Sequence, residues 1–310
     1  MIVNVNNLVK RYGELIALDH FNLQVEEGEI FGLLGPNGSG KTTAINCMLA
    51  LLKYSKGDIE LFGRPMRPDA YELKRNIGLV MQNVAVFDEL TVKENISYFC
   101  GLYINDKARC RQLVDEAIQF VGLEDYVKFF PKKLSGGLLR RLNIACGIAH
   151  KPKLIFMDEP TVAVDPQSRN NILEGIKTLN QDGATVIYTS HYMEEVEQIC
   201  SRIAIMDKGK IIASGTRDQL KSTIRAGEKI TAEILSPHPS LAEDAARLPH
   251  VVSAEFIDSL LVVKSEQKHN NLTALLDLFR EKDIAYGRFY CEMPTLNDVF
   301  LEITGKELRD

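Results

Sequence analysis

The segment GPNGSGKTT, residues 35–43, has the residue types and the spacing needed to hold phosphate groups. Its glycines let backbone N–H groups close around phosphate oxygens, Lys41 can bring positive charge to the β- and γ-phosphates, and the Thr42 hydroxyl can ligate Mg²⁺. The apolar run Ile30–Leu34 precedes the segment and a helix-forming run follows it, which adds the positive end of a helix dipole. The pattern predicts a P-loop. The residues expected to contact a nucleotide here are Gly35, Pro36, Asn37, Gly38, Ser39, Gly40, Lys41, Thr42 and Thr43.

Two adjacent carboxylates end another apolar run, in the sequence LIFMDEP. Residues 154–157 have the continuous apolar character of a strand buried on both faces, and Asp158 and Glu159 follow at once. Asp158 is suited to hold Mg²⁺, directly or through water, and Glu159 to polarise an attacking water. An acidic surface turn would be the better interpretation of this segment alone, but the P-loop upstream favours a catalytic one.

A histidine follows the next predicted strand, residues 185–189. Ligands of parallel sheets gather at the carboxyl ends of the strands, so His191 is expected to reach the same phosphate as the two acids. A lone histidine is more often structural, and it is the position after the acidic strand that favours a role at the site.

A second segment, LSGGLLRRL, also places a serine and two glycines ahead of a helix-forming run. Ser135, Gly136 and Gly137 can present backbone N–H groups to a phosphate. Leu138 is apolar where a polar side chain would be expected beside a nucleotide.

Together these motifs resemble the ATPase subunit of an ATP-binding cassette (ABC) transporter, over about the first two-thirds of the chain. Chance could supply one or two such motifs, but not seven in order at compatible spacings. In chain order they are Tyr12 in KRYG, the P-loop, Gln82 in VMQN, LSGG, MDEP, Asp165 in TVAVDP, and His191. The sequence departs from the family pattern at Leu138, where glutamine is usual, and at residues 162–164.

The resemblance implies ATP and Mg²⁺ as cofactors and gives roles to single residues. Tyr12 would stack on the adenine, and Gln82 would contact Mg²⁺ and the attacking water where a helical block meets a membrane partner. Asp165 would cross to another subunit. The catalytic residues would be Lys41, Gln82, Glu159 and His191, and the metal ligands Thr42, Gln82 and Asp158.

The resemblance also explains why one chain carries two phosphate-binding loops. In the family, two cassettes pack head to tail, and each signature loop (residues 135–137) closes over the ATP held by the P-loop of its partner. The expected assembly is therefore a two-fold homodimer enclosing two ATPs, or a heterodimer with a similar cassette.

The expected fold is α/β: a P-loop NTPase ABC cassette with a RecA-like core, an antiparallel β subdomain and a helical subdomain at about residues 87–150. Polar residues 221–229 predict a boundary between an ATP-binding domain, 1–222, and an accessory domain, 228–310. The second domain has the pattern β-α-β-β-α-β, which predicts a ferredoxin-like α+β unit.

Composition limits the classes of function. The net charge of −5 over 310 residues argues against nucleic acid as a partner. The six cysteines form no C-x-x-C pair, which indicates reduced thiols. No signal peptide or membrane-length apolar run is present. We therefore expect a cytoplasmic protein, held at the inner face of the cell membrane by an integral permease.

The C-terminal sequence PTLNDVFLEITGKELRD is similar to the tail of the family branch that exports drugs, antibiotics and lipid-linked molecules. The alternatives are a soluble ABC-type ATPase acting on ribosomes or DNA, and an inactive regulatory cassette. A single cassette, net acidity and a short interval between Gln82 and Leu134 count against the first. The presence of Lys41, Asp158, Glu159 and His191 counts against the second.

Overall fold

The structure of the chain, a computed structural model, describes residues 1–236 and 239–305 and divides into two units between Thr216 and Arg217. The sequence pattern placed this division later, at residues 221–229. The helix Arg217–Lys221 groups with the second unit, and a strand begins at Ala226, so the expected boundary stretch is largely structured. The end of the expected second domain, residues 306–310, lies outside the described residues.

The first unit alternates strands and helices, as the motif flanks predict, with three consecutive helices near its middle. Its elements in chain order are β1 (Val3–Tyr12), β2 (Leu15–Val25), β3 (Ile30–Leu34), α1 (Lys41–Met48), β4 (Lys56–Leu61), β5 (Arg64–Pro65), α2 (Tyr71–Lys74), β6 (Ile77–Val80), α3 (Val92–Gly101), α4 (Lys107–Val121), α5 (Gly136–Ile148), β7 (Leu154–Asp158), α6 (Pro166–Gln181), β8 (Thr185–Ser190), α7 (Met193–Ile199), β9 (Arg202–Asp207) and β10 (Lys210–Gly215).

A six-stranded sheet in the order β10-β9-β3-β8-β7-β6 forms the core of this unit. All its pairings are parallel except that of β10 with β9. Every residue of β3, β7 and β8 is buried, which is why these strands are mostly apolar, with polar residues such as Asp158 and Ser190 at their carboxyl ends. In the ladders, Leu34 pairs with Ser190 and Asp158 pairs with Thr189. The P-loop, the acidic pair and His191 therefore all follow strands that end at one edge of the sheet.

A second, antiparallel sheet in the order β2-β1-β4-β5 packs on the first. The two sheets share one hydrophobic core with α1, in which Val5 and Phe21 of the antiparallel sheet lie among Phe31 and Phe156 of the central sheet and Ile45 of the helix. The expected antiparallel β subdomain is thus joined to the nucleotide-binding core by a continuous apolar layer, which fixes the position of the end of β1.

The helical block consists of α3, α4 and α5, within the expected range of residues 87–150. A capping box begins α3: the Thr91 side chain accepts a hydrogen bond from the Glu94 N–H, and the Glu94 carboxylate accepts one from the Thr91 N–H. The three helices share a core of their own, which includes Ile96, Leu113 and Leu142. Within residues 1–236 and 239–305, none of the helices combines the length and the apolar character that crossing a bilayer requires.

The second unit has a four-stranded antiparallel sheet in the order β12-β13-β11-β14. Its elements are α8 (Arg217–Lys221), β11 (Ala226–Ile234), α9 (Leu241–Ala246), β12 (Val251–Ile257), β13 (Leu260–Glu266), α10 (Leu272–Glu281), β14 (Tyr286–Glu292) and α11 (Leu296–Thr304). From β11 to β14 they follow the predicted order β-α-β-β-α-β. Apolar residues of α9, α10 and the sheet, among them Ile230, Leu275 and Phe279, form a separate core.

Because each unit has its own sheet and core, a chain truncated after Thr216 is expected to fold and to bind ATP as tightly as the full chain. Circular dichroism melting and titration with a fluorescent ATP analogue would measure both properties beside the intact protein. Aggregation of the truncated chain, or a clear loss of affinity for ATP, would contradict the independence of the first unit.

Candidate nucleotide site

A cavity of about 420 Å³ lies at the carboxyl edge of the central sheet. Its volume is in the range typical of small-molecule sites, ~300–1,000 Å³. Many of the residues predicted from the sequence to bind or hydrolyse a nucleotide line it. These are Tyr12, Asn37, Gly38, Gly40, Lys41, Thr42, Thr43, Gln82 and Glu159.

The P-loop takes a backbone path that requires glycine. Gly38 and Gly40 have φ of 79° and 109°, in the left-handed region that other residues rarely adopt. A Cβ on Gly35 would lie 2.3 Å from the Met206 carbonyl oxygen, so a side chain is excluded there by contact. The Ser39 N–H donates to the Pro36 carbonyl at 3.1 Å and closes the turn. Glycine is thus required at three points of the loop for two different reasons.

Lys41 is buried beneath this loop, with 5% of its surface exposed. Its ammonium donates to the carbonyl oxygens of Gly35 at 2.8 Å and Pro36 at 3.2 Å, and lies 3.1 Å from Oε1 of Glu159. These contacts hold the charge at the floor of the cavity.

Glu159 is the point on which the predicted catalytic side chains converge. Besides Lys41, Gln82 donates through Nε2 to Oε2 of Glu159 at 3.0 Å, and Nδ1 of His191 lies 3.3 Å from the same oxygen. The carboxylate is 5% exposed, and the residue has φ of 47°, a backbone conformation that is costly for a residue with a side chain. The structure therefore brings together residues from four separate motifs.

The neighbouring acid, Asp158, lies deeper, with 4% exposure. The Thr189 hydroxyl donates to Oδ1 of Asp158 at 2.7 Å and accepts from the Glu159 N–H at 3.0 Å. Thr189 therefore positions both acids, a role that the sequence analysis did not assign. The only sequence signal was its place at the end of the predicted strand beside them.

Tyr12 lies at the end of β1, on the wall of the cavity, with 47% of its surface exposed. The Lys10 ammonium is 4.5 Å from the centre of its ring. An exposed aromatic face at a cavity wall is available to stack on a planar base, as the sequence predicts for Tyr12.

The signature loop does not line this cavity within the described residues. The Ser135 hydroxyl caps α5 by accepting from the Leu138 N–H at 3.3 Å, and Asp165 caps α6 by accepting from the Ser168 N–H at 2.9 Å. This second bond contributes to holding the pKa of Asp165 below its usual value. A Cβ on Gly137 would lie 2.8 Å from Oγ of Ser168 and 3.3 Å from Oδ2 of Asp165, so the two caps pack directly on each other.

Comparison with known proteins decides the family. A family profile described as ABC transporter matches residues 18–162. The chain is 36% identical to the linearmycin resistance ATP-binding protein LnrL of Bacillus subtilis (strain 168), over 100% of both proteins. It is 33% identical to the Nod factor export ATP-binding protein I of Paraburkholderia xenovorans (strain LB400), over 99% of this chain and 98% of the relative. The chain belongs to the ABC transporter family.

The fold of a solved dimeric ATP-binding cassette in a post-hydrolysis state, bound to ADP and phosphate, agrees with this assignment. It superimposes with a TM-score of 0.64 at 29% identity, over 69% of this chain and 98% of that structure. The protein is therefore an ATP-binding ABC subunit and an ATPase, and the expected cassette fold is confirmed.

The apolar residue in the signature sequence of this ABC ATPase has a packing role. Leu138 is half-buried and packs against the hydrophobic core of the helical block, beside Leu134 and Leu139. The polar function of the loop resides in Ser135 and the glycines, which are intact.

A buried carboxylate that the sequence analysis missed lies behind the cassette's catalytic edge. Glu195 of α7 is 3% exposed, and its Oε2 accepts from Tyr188 at 2.7 Å, Thr161 at 2.8 Å and Ser190 at 3.0 Å. The Arg169 guanidinium Nε of α6 lies 3.2 Å from the other oxygen, Oε1. Burial, and then the charge of Glu195, raise the pKa of Tyr188 well above its usual value, which keeps that phenol a donor.

This cluster connects the segments on both sides of the site. Thr161 follows the acidic pair by two positions, Ser190 directly precedes His191, and Arg169 lies in the helix that Asp165 caps. The Ser190 hydroxyl also accepts from the Tyr192 N–H at 2.9 Å, which fixes the turn that carries His191. Glu195 lies in the first turn of α7, four residues after His191, and that nearness in sequence was the available signal.

We expect Glu195→Ala to destabilise the first unit by about 2–4 kcal/mol, because it leaves three buried hydroxyl donors and the partly exposed Arg169 guanidinium without their acceptor. Glu194→Ala, at the exposed neighbouring position, is the matched control and should change stability by less than ~0.5 kcal/mol. Urea denaturation followed by circular dichroism gives both values. Equal effects at the two positions would show that the buried cluster contributes nothing particular.

Proposed function

We propose that this ABC ATPase is the motor subunit of an exporter, in which ATP binding and hydrolysis drive a drug, antibiotic or lipid-like compound through a separate membrane permease. The observation that carries the proposal is the convergence of Lys41, Gln82 and His191 on the buried carboxylate of Glu159. The names of the two full-length relatives, one for linearmycin resistance and one for Nod factor export, support export as the process.

The residues at the cavity suit Mg²⁺, which prefers oxygen ligands. The Thr42 hydroxyl and the Gln82 amide oxygen lie at the lining, and the Asp158 carboxylate is next to Glu159. This all-oxygen donor set fits the ion, and Thr42, Gln82 and Asp158 would hold it. Bound there, Mg²⁺ would supply positive charge that offsets the negative charge of the phosphates during their transfer.

In the proposed reaction each residue acts from the place where the fold puts it. Lys41 exchanges its contact with Glu159 for a phosphate oxygen, which frees the carboxylate to orient and polarise the attacking water. Gln82 and His191 contact the same carboxylate and are close enough to position that water and the γ-phosphate. Asn37 and Thr43 complete the lining of the P-loop, and Tyr12 stacks on the adenine.

The placement of the signature loop outside the cavity supports a dimer. If Ser135, Gly136 and Gly137 bind a nucleotide, that nucleotide belongs to another cassette, and two-fold symmetry then completes two sites at once. Asp165, packed on Gly137, would lie at the same interface. The partner cassette is a second copy of this chain or a similar chain.

We propose that the permease holds the ATPase at the inner face of the cell membrane and selects the compound that is exported. Both relatives match over the whole chain, so the second unit is common to them. The alternative is an ABC-type ATPase with a non-transport or regulatory role, which would have no permease.

Glu159→Gln keeps the shape of the side chain and removes the charge, so ATP should bind while hydrolysis stalls. The variant is expected to persist as a dimer in size-exclusion chromatography with Mg-ATP, while the parent returns to monomer. Glu194→Gln, an exposed glutamate, is the control and should behave as the parent. A Glu159→Gln variant that stays monomeric, or hydrolyses ATP at the parent rate, would remove Glu159 from this role.

The same trapped variant distinguishes the two functions. Used as bait in detergent extracts of the native membranes with Mg-ATP, it is expected to retain an integral membrane protein with several spanning helices. Recovery of ribosomal or other non-membrane assemblies instead would favour the alternative.

Leu138→Gln should change the rate of ATP hydrolysis modestly, by about two- to tenfold, since one neutral hydrogen bond is worth about 0.5–1.5 kcal/mol net. Ser135→Ala and Lys41→Ala should be severe, because they remove phosphate contacts on which phosphoryl transfer depends. Steady-state phosphate release, with the permease present where it is identified, measures all three. An inactive parent that Leu138→Gln restores would mean that the signature loop is degenerate.

A further inference from the structure

The second unit contains a cluster of potential metal ligands that the proposed transport function does not use. His250 directly precedes β12, Glu266 ends β13, and His269 lies between β13 and α10. One ligand atom from each residue lies within 4.8 Å of the other two. Across residues 1–236 and 239–305, no other trio of His, Cys, Asp or Glu side chains is grouped in this way.

The side chains contact one another directly. Nδ1 of His250 lies 2.9 Å from Oε2 of Glu266, and the imidazole rings of His250 and His269 stack with centres 3.7 Å apart at an angle of 6°. All three side chains are exposed, so a cation from solvent can reach them.

The main chain holds the three positions in place. The Glu266 N–H donates to the His250 carbonyl at 2.8 Å, and the His269 N–H donates to the Glu266 carbonyl at 3.2 Å. The backbone of His250 is in the left-handed region, with φ of 61°. Backbone hydrogen bonds therefore fix the main-chain positions of His250, Glu266 and His269, and their side chains can still rotate.

The types of ligand atom in His250, Glu266 and His269 indicate which class of metal ion would bind. Two imidazole nitrogens and one carboxylate oxygen suit a divalent transition-metal cation such as Zn²⁺, whereas Mg²⁺ prefers oxygen alone. A tetrahedral centre with bonds of about 2.0–2.2 Å needs ligand atoms ~3.4 Å apart, and rotation of exposed side chains can bring atoms within 4.8 Å to that separation. Three protein ligands leave one position for water.

We propose that His250, Glu266 and His269 form a binding site for a divalent transition-metal cation of the Zn²⁺ class. The site is separate from the nucleotide cavity, since its ligands all belong to the second unit. Binding would link the start of β12, the end of β13 and the turn before α10.

Isothermal titration of the full-length protein with ZnCl₂, without nucleotide, tests the proposal. We expect one equivalent of Zn²⁺ to bind, with affinity at least ~10-fold weaker in His250→Ala and in His269→Ala, since even an outer-shell partner typically contributes that much. His20→Ala is the matched control: His20 is an exposed histidine paired with Asp19 at 2.6 Å, but it belongs to no such trio. It should bind Zn²⁺ as the parent does.

Two further measurements complete the test. Zn²⁺ affinity should fall between pH 7.5 and pH 5.5, because a metal ion binds the neutral imidazole and protons compete with it for the ring nitrogen. Glu266→Gln keeps the side-chain size and serves if an alanine variant fails to fold; its Zn²⁺ affinity should also fall. The proposal is overturned if the parent binds no Zn²⁺, or if the trio variants bind it as tightly as the His20→Ala control.

Discussion

A single buried carboxylate organises the first unit. Glu159 is almost fully removed from solvent, and a buried charge is tolerated only when it is paired and hydrogen-bonded. Its partners, Lys41, Gln82 and His191, come from segments that are far apart in the sequence. To bring them together, the chain places β3, β8, β7 and β6 side by side and in parallel, so that all four end at the same edge. The order of the strands thus places each partner within reach of the Glu159 carboxylate.

Support for that edge comes from a second layer of polar contacts. Thr189 orients both acids from the neighbouring strand, and Glu195 connects the turn of His191 to α6. Both residues are buried, and Oγ1 of Thr189 and Oε2 of Glu195 each make several hydrogen bonds, so these contacts hold the edge in a fixed geometry.

Much of this organisation could be predicted from the sequence, because its motifs are local. Strand β3 has the predicted bounds, since an unbroken apolar run ends at the P-loop. The helix-forming run after the P-loop gives no sign of where α1 ends; it ends at Met48, and Ala50 turns into the left-handed region with no glycine to signal it. Helices α6 and α7 were not predicted, although Asp165 and Pro166 form an ordinary helix start. The contacts of Thr189 and Glu195 depend on strand register and on packing between distant segments, which residue spacing alone does not specify.

Gly137 packs closely on Ser168 and Asp165, so position 137 is more restricted than its neighbour, position 138. No side chain fits at 137 without displacing the cap of α6, whereas position 138 faces an apolar core that accepts different shapes of similar volume. The structure therefore tolerates another apolar side chain of similar volume at 138 but no side chain at 137. The leucine at 138, where glutamine is usual in the family, is thus accounted for by the way the helical block is packed.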